Sequence, residues 1–393
     1  MNGKRILIMS ASVGSGHTRS AHALTEAFRT HPGVAEVIND DALEHTNVLH
    51  KQIYSDLYKT LSSVAPNFLG WWYETTNEPW RSDQVRMLLD LPSTLPLMSY
   101  LKKTKPDAIV CTHFMPAGVV SYLIGNQSLD TRLYTVVTDF HFHAEWLLRA
   151  FNQYFVAQEE DRQHMIGLGL PGDRIAVTGI PIDAQFSETV DRQKVCDQFG
   201  LNPGVPIVLV SAGTLGLSPA TSVLKRLLDM PEEFQTIVIC GKNEEMQAEV
   251  EGLAAASPKK IVVIGYTAKI SALMKTATVL LSKPGGLITS EALACGLPMV
   301  ILDPIGGQEE RNADVLLEKG AAIKCTEVTL LPYKLGQLLN DPARIAIMSE
   351  NARSLGFPHA AQDIVDHVMS DDKASYIIDS KREKVLRKRA NEG

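Results

Sequence analysis

Little cysteine, no long apolar run and no excess of positive charge are the first features of this chain. The five cysteines, Cys111, Cys196, Cys240, Cys295 and Cys325, are odd in number and scattered, with none of the close spacing of a zinc site or a disulfide framework. They read as reduced thiols in apolar segments of a cytosolic protein. No apolar run reaches the roughly 18 residues a membrane-spanning helix needs. Ile6–Met9, which follows Lys4 and Arg5, is too short for the apolar region of a signal peptide and meets polar Ser10 and Ser12, so it reads as a first strand. A formal net charge of −7 argues against a nucleic-acid binder, which carries a basic face. Aromatic residues make up only 6% of the chain, yet three of its four tryptophans, Trp71, Trp72 and Trp80, fall within Leu43–Trp80.

What is present is the balance of a globular protein, 45% apolar and 21% charged over 393 residues, enough for two domains with separate cores. Short apolar runs alternate with helical periodicity almost throughout, which implies parallel sheets covered on both faces. No low-complexity segment interrupts this rhythm, and no internal repeat beyond it is present. The Gly and Pro punctuation of Gly179–Asp183 marks the main boundary. The expected organisation is a first domain over 1–180 with an aromatic helical insertion at 43–80, a second over 181–354, and a C-terminal helix and basic tail over 355–393 packing back on the first.

Polar and glycine-rich residues gather where strands end, and in open α/β sheets ligands bind there. The first strand runs into Ala11-Ser12-Val13-Gly14-Ser15-Gly16-His17, read as a loop before a helix over Thr18–Phe28. The pair Gly14 and Gly16 suits an anion or a close backbone approach, but Arg19 stands where a dinucleotide fingerprint needs Gly or Ala. His17 has two readings, a base aimed over the sheet or a residue that hydrogen-bonds its own loop. The strand Leu133–Thr138 delivers Asp139, and His141 and His143 follow; they line a crevice or, with nearby acids, hold a metal, although no further ligand motif is present. The aromatic insertion suits a membrane interface or simple packing, and the basic tail Lys381–Arg389 suits anionic head groups or solvent.

The stretch Ser282–Asn312 concentrates the chemistry. Gly285 and Gly286 can take backbone angles other residues avoid and close their N–H groups on an anion near the following helix start. Glu291 in that helix is an acceptor-only carboxylate suited to ribose hydroxyls, and Gln308 and Glu309 leave the next strand end, ahead of a helix over Asn312–Lys319. A second glycine turn, Ala212–Gly216, ends another strand of the same sheet. Together they read as a nucleotide-sugar site.

These motifs resemble the glycolipid-forming glycosyltransferases of family 28, the monogalactosyldiacylglycerol synthases and the processive diacylglycerol glucosyltransferases. The resemblance runs through Gly14-Ser15-Gly16-His17, Thr138-Asp139, Lys283 and Gly285 with Glu291-Ala292-Leu293, and Gly307-Gln308-Glu309 with Asn312, in order along nearly the whole chain. It implies an α/β protein of GT-B architecture, two Rossmann-like doubly wound domains facing a cleft. It further implies an inverting enzyme that moves glucose or galactose from a UDP-sugar to diacylglycerol, forming a β-glycosyldiacylglycerol with no added cofactor or metal. His17 and Asp139 would be catalytic. Gly213 and Thr214 would touch the diphosphate, with Gly285 and Gly286 also on the donor, Tyr266 and Thr267 the uracil, Glu291 the ribose, and Gln308 and Glu309 the sugar. Gly14 and Gly16 would form a phosphate or acceptor loop, and Trp71, Trp72 and Trp146 would face the acceptor or the membrane. The expected setting is cytoplasmic, with peripheral attachment to an anionic membrane surface. Alternatives on the same fold are transfer to another lipid, UDP-sugar epimerisation, or nucleotide-sugar sensing without turnover.

Overall fold

The structure, a computed structural model, describes residues 3–46, 75–80, 83–302, 304 and 306–390. The chain divides into two compact units: residues 1–184 with 306–308 and 359–393, and residues 185–305 with 309–358.

In the first unit six strands lie in the order β2-β1-β3-β4-β6-β7: β1 Lys4–Ser10, β2 Val34–Asp41, β3 Ala108–Cys111, β4 Arg132–Val136, β6 Gln153–Val156 and β7 Ile175–Val177. Every pairing in it is parallel. The runs are apolar at consecutive positions because both faces are covered. Leu7, Met9, Ile109 and Leu133 feed one core, and Ile6, Ile8, Val110 and Tyr134 the other, as the two-residue period of a strand requires. The helix Ala360–Ser370 closes the second of these cores with Ile364, Val365 and Val368. The final helix, Ser380–Ala390, is also docked: Leu386 and Glu383 are buried, Glu383 pairs with Arg149 at 2.7 Å, and Arg387 Nε donates to the carbonyl of Trp80 at 2.8 Å. The short β5, Ala150–Phe151, pairs with Tyr376–Ile377 from the C-terminal segment.

The second unit carries six parallel strands in the order β10-β9-β8-β11-β12-β13. They are β8 Ile207–Ser211, β9 Gln235–Ile239, β10 Ile261–Ile264, β11 Val279–Ser282, β12 Met299–Leu302 and β13 Ala322–Cys325. Val208, Val210, Leu281 and Val300 line one core, while Ile207, Leu209, Leu280 and Ile301 are fully buried on alternate positions. In both units the order reverses beside the first strand, between β1 and β3 and between β8 and β11, which are the switch points where doubly wound sheets receive ligands.

Several sequence expectations are corrected here. The helix after β1 starts at Ser15 rather than Thr18, so Ser15, Gly16 and His17 form its first turn and only Ala11–Gly14 is loop. Ala212–Leu215 is a helical turn rather than an open glycine loop. The helix expected at Asn312 begins at Gln308. Neither β13 nor the β5 pairing was foreseen. The tail is not a solvated extension, since its helix is anchored by Leu386 and Glu383. Four of the five cysteines are buried, as expected for residues in apolar segments, and Cys295 is half-buried.

Candidate active site

At the first unit's switch point β1 ends at Ser10 and the chain turns through Gly14, whose φ of 82° is open to glycine at little cost. That turn starts the helix Ser15–Thr30 and sets His17, half-buried, over the end of β3. His17 Nδ1 lies 2.9 Å from the carbonyl oxygen of Thr112 and 2.8 Å from Thr138 Oγ. The Thr112 hydroxyl donates back to the His17 carbonyl at 3.0 Å, and the His113 ring stands edge-on at 4.6 Å. A carbonyl oxygen only accepts, so Nδ1 carries the hydrogen and Nε2 keeps its lone pair. Loss of solvent lowers the imidazole pKa, opposed by the negative charge of Asp139 and by the bond to Thr112. The ring is therefore neutral near pH 7 and able to accept a proton.

Asp139, 7% exposed, opens the segment after β4. The helix Glu159–Gly167 holds that segment in place. Gln158 Nε2 donates to the Phe140 carbonyl at 2.7 Å, and Asp161 Oδ1 accepts from the Phe142 N–H at 3.0 Å. Asp161 is buried, its Oδ2 has no hydrogen-bond partner among the described residues, and burial pushes its pKa up to about 7, with Asp139 and Glu160 adding to the rise. His143 is buried and accepts from the Glu145 N–H at 3.1 Å, capping the turn at Ala144–Trp146. The His141 ring stacks 6.2 Å from His164. Among the described residues no three His, Cys, Asp or Glu side chains gather as a metal would require. Trp146 is buried with its ring 5.8 Å from Phe114, and its carbonyl accepts from the Tyr154 hydroxyl at 2.7 Å. Trp71 and Trp72 lie outside the described residues. Trp80, at the far end of the aromatic segment, is buried and donates from Nε1 to the Leu168 carbonyl at 3.3 Å.

At the second unit's switch point the ends of β8 and β11 meet through hydroxyls. Thr214 Oγ donates to the Ser211 carbonyl at 2.8 Å and stands 3.0 Å from Ser282 Oγ. Gly213 and Thr214 are exposed there, and Gly216, at φ 91°, starts the next helix. Beyond β11, Gly285 precedes the helix Gly286–Ala294 with φ −63° and ψ 148°, ordinary extended backbone. The expectation of special backbone angles at Gly285 and Gly286 is thus corrected: neither has a positive φ. A methyl group on Gly285 would approach only the Ile288 side chain, at 3.9 Å, and the first-turn N–H groups of the helix have no partner within it. Asn312, fully buried, donates from Nδ2 to the Pro284 carbonyl at 3.0 Å and pins this turn. Glu291 is buried in the second turn of the helix, and Glu309 is half-buried in the first turn of Gln308–Glu318, whose half-buried leading residue Gln308 belongs to the first unit and donates from Nε2 to Asp139 Oδ1. Tyr266 is 73% exposed after β10, with Lys242 Nζ 5.3 Å from its ring centre; Thr267 Oγ1 accepts from the Lys269 N–H at 3.0 Å.

Sequence reasoning assigned no role to Thr112, His113, Ser282 or Asp161. The available signal was their position, one polar residue at or just past each apolar run. Residues 17–182 match the monogalactosyldiacylglycerol synthase family model, and residues 206–355 match that of group 1 glycosyl transferases. A processive diacylglycerol β-glucosyltransferase of Bacillus licheniformis is 28% identical over 97% of this chain and 98% of its own length. One from Bacillus cereus is 28% identical over 94% of both chains. Among solved structures, MurG of Acinetobacter baumannii aligns over 94% of this chain and all of its own, with a TM-score of 0.61 at 17% identity. The S. aureus MnaA complex with UDP aligns over 92% of this chain and 95% of its own, with a TM-score of 0.61 at 16% identity. Those likenesses give the architecture, GT-B with two Rossmann-like domains. The matches span both units: the first is similar to the monogalactosyldiacylglycerol synthases, the second to the group 1 glycosyl transferases, and the whole chain to the processive diacylglycerol β-glucosyltransferases.

Proposed function

We propose that this chain is an inverting UDP-hexose:diacylglycerol β-glycosyltransferase. The first unit receives the lipid and the second the UDP-sugar. One observation carries the reading: the His17 imidazole is held through Nδ1 at a sheet switch point, neutral, with Nε2 left to accept a proton. As the acceptor hydroxyl oxygen bonds to the anomeric carbon, its proton passes to His17 Nε2 and the bond from that carbon to the UDP oxygen breaks. A single displacement inverts the centre, so an α-linked donor gives a β-glycoside. The charge that develops on the leaving diphosphate is met by the N–H groups that open the Gly286 helix and by the Gly213-Thr214 turn, which are already oriented and need no metal. Asp139 stabilises the imidazolium form of His17. Glu291 binds the ribose, Tyr266 and Thr267 the uracil, and Gln308 and Glu309 the sugar hydroxyls.

The names of the relatives favour glucose as the donor sugar. The deciding experiment incubates the protein with UDP-glucose or UDP-galactose, with and without diacylglycerol in mixed micelles, and identifies the product and its anomeric configuration. A β-glycosyldiacylglycerol with stoichiometric UDP release is expected. An epimerised nucleotide sugar formed without acceptor, or binding without turnover, overturns the reading.

The membrane side of the proposal is peripheral attachment at the cytoplasmic face. Among the described residues no helix is long and apolar enough to cross a membrane. The docked helix Ser380–Ala390 exposes Arg382 and Lys384, and each cation near an anionic surface contributes about 1 kcal/mol. Trp71→Ala with Trp72→Ala is expected to lower sedimentation with anionic vesicles while leaving UDP affinity alone.

A further inference from the structure

We infer that Thr138 is a positioning residue for His17: its hydroxyl and the Thr112 carbonyl together clamp the Nδ1–H of the imidazole and so fix which nitrogen faces the substrate. This rests on the reading of His17 as the base.

The two acceptors come from the ends of two neighbouring strands. Thr112 follows β3 and Thr138 follows β4. One acceptor alone leaves the ring free to pivot about that bond, whereas a second, 2.8 Å away on another strand, removes the freedom. The roles within the trio follow from which atoms can donate. The Thr112 carbonyl cannot donate, so the ring hydrogen is on Nδ1. The Thr138 hydroxyl also lies 3.5 Å from the same carbonyl and is oriented to donate to it, which turns an oxygen lone pair toward Nδ1–H. Were the Thr138 hydroxyl to donate to Nδ1 instead, the hydrogen would sit on Nε2 and the substrate proton would have no acceptor. Thr138 is only 5% exposed and Thr112 fully buried; a side chain that lost this hydroxyl would leave little room for water in its place. The other groups facing the ring are His113, edge-on from the end of β3, and the charge of Asp139 beside Thr138. Asp139 supplies charge from a distance; Thr138 supplies direction.

The test compares Thr138→Val, close in shape without the hydroxyl, with Thr138→Ser, which keeps it, and with His17→Ala. Turnover of UDP-glucose with diacylglycerol, its pH profile and UDP affinity are measured for each. Thr138→Val is expected to lower kcat roughly tenfold to a hundredfold, to move the acidic limb of the profile to lower pH because the imidazolium has lost an acceptor, and to leave UDP affinity unchanged. Thr138→Ser is expected to recover both rate and limb. Normal turnover and an unmoved limb in Thr138→Val overturn the inference, as does equal impairment of the two variants with the limb unmoved, which marks a packing role. If His17→Ala keeps near-normal turnover, the base reading itself fails and this one with it; an inactive His17→Ala beside a normal Thr138→Val removes only this one. Nitrogen-15 NMR of labelled histidine reads the same point without substrate. The Nδ1–H form is expected for His17 in the native chain and a mixture of tautomers in Thr138→Val; the same single form in both overturns the clamp.

Discussion

The two units carry six-stranded parallel sheets of different order, β2-β1-β3-β4-β6-β7 and β10-β9-β8-β11-β12-β13, and both place polar residues at the switch point beside their first strand, yet they differ in what those residues can do. In the first unit the crossing is occupied by an imidazole, with a carboxylate at Asp139 and a second, proton-holding carboxyl at Asp161 behind it. In the second it is occupied by the hydroxyls of Thr214 and Ser282 and by a glycine pair at a helix start. On the proposed reading the first frame exchanges a proton and the second holds an anion without exchanging anything. The chemistry resides in the side chains at the strand ends and not in the fold, which is why architecture alone does not separate a transferase from an epimerase.

Removing the imidazole gives the sharpest break between the units. His17→Ala is expected to lower kcat by about 10²–10⁴ while UDP affinity, measured by calorimetry, stays at the native value. A parallel loss of UDP affinity would merge the two roles and end the comparison.

Proton linkage is the next way to separate them. Burial first, then the charges of Asp139 and Glu160, raises the Asp161 pKa to about 7, against about 4 in an unfolded chain. Between those values the folded state binds the extra proton, so this group's contribution to stability falls as pH rises from about 4 to 7 and stays lost above. Asp161→Asn keeps an acceptor for the Phe142 N–H and removes the titration. Its stability advantage over the native chain should grow by about 2 kcal/mol between pH 5 and pH 7 and level off above pH 8. A difference that is flat with pH in denaturant titrations would mean that Asp161 is ionised in the fold.

Much of this frame was legible in the sequence. Strands stood out as short apolar runs, because burial on both faces removes the alternation that otherwise blurs a strand into a helix. Helix starts were harder. Ser15 and Gly16 carry the composition of a loop, and nothing local reveals that Gly14 alone makes the turn. At Gln308 the signal was present and unused: Glu309 and Glu310 lie in the first helical turn, where the helix dipole favours acids. The partners of His17 were illegible for another reason. Thr112 and Thr138 are distant in sequence from His17 and from each other's strand, and only parallel register brings them to one ring. Asp161 looked like an ordinary helix-terminal acid; its burial is a tertiary fact.

In the second unit, Glu291→Gln tests the donor side. The glutamine keeps the volume of a buried side chain but replaces one acceptor oxygen with a donor, which a ribose diol cannot satisfy equally. UDP affinity is expected to fall about tenfold, on the order of 1.5 kcal/mol for a hydrogen bond to a charged group. Thymidine diphosphate, which lacks one ribose hydroxyl, should lose less than UDP does. Equal losses for the two nucleotides would remove Glu291 from the ribose.

The smallest expected effect is the most direct comparison of the two switch points. Thr214→Val deletes a hydroxyl that donates to the Ser211 carbonyl and meets Ser282 Oγ, just as Thr138→Val deletes one that meets His17. Each loss removes one neutral hydrogen-bonding group, about 1 kcal/mol, yet the readouts should diverge. With Thr214→Val, UDP affinity should fall three- to tenfold and the pH profile of turnover should not move, because no group bonded to that hydroxyl titrates near neutral pH. If its acidic limb moves as that of Thr138→Val does, the proton chemistry is not confined to the first unit, and the division of labour between the two sheets fails with it.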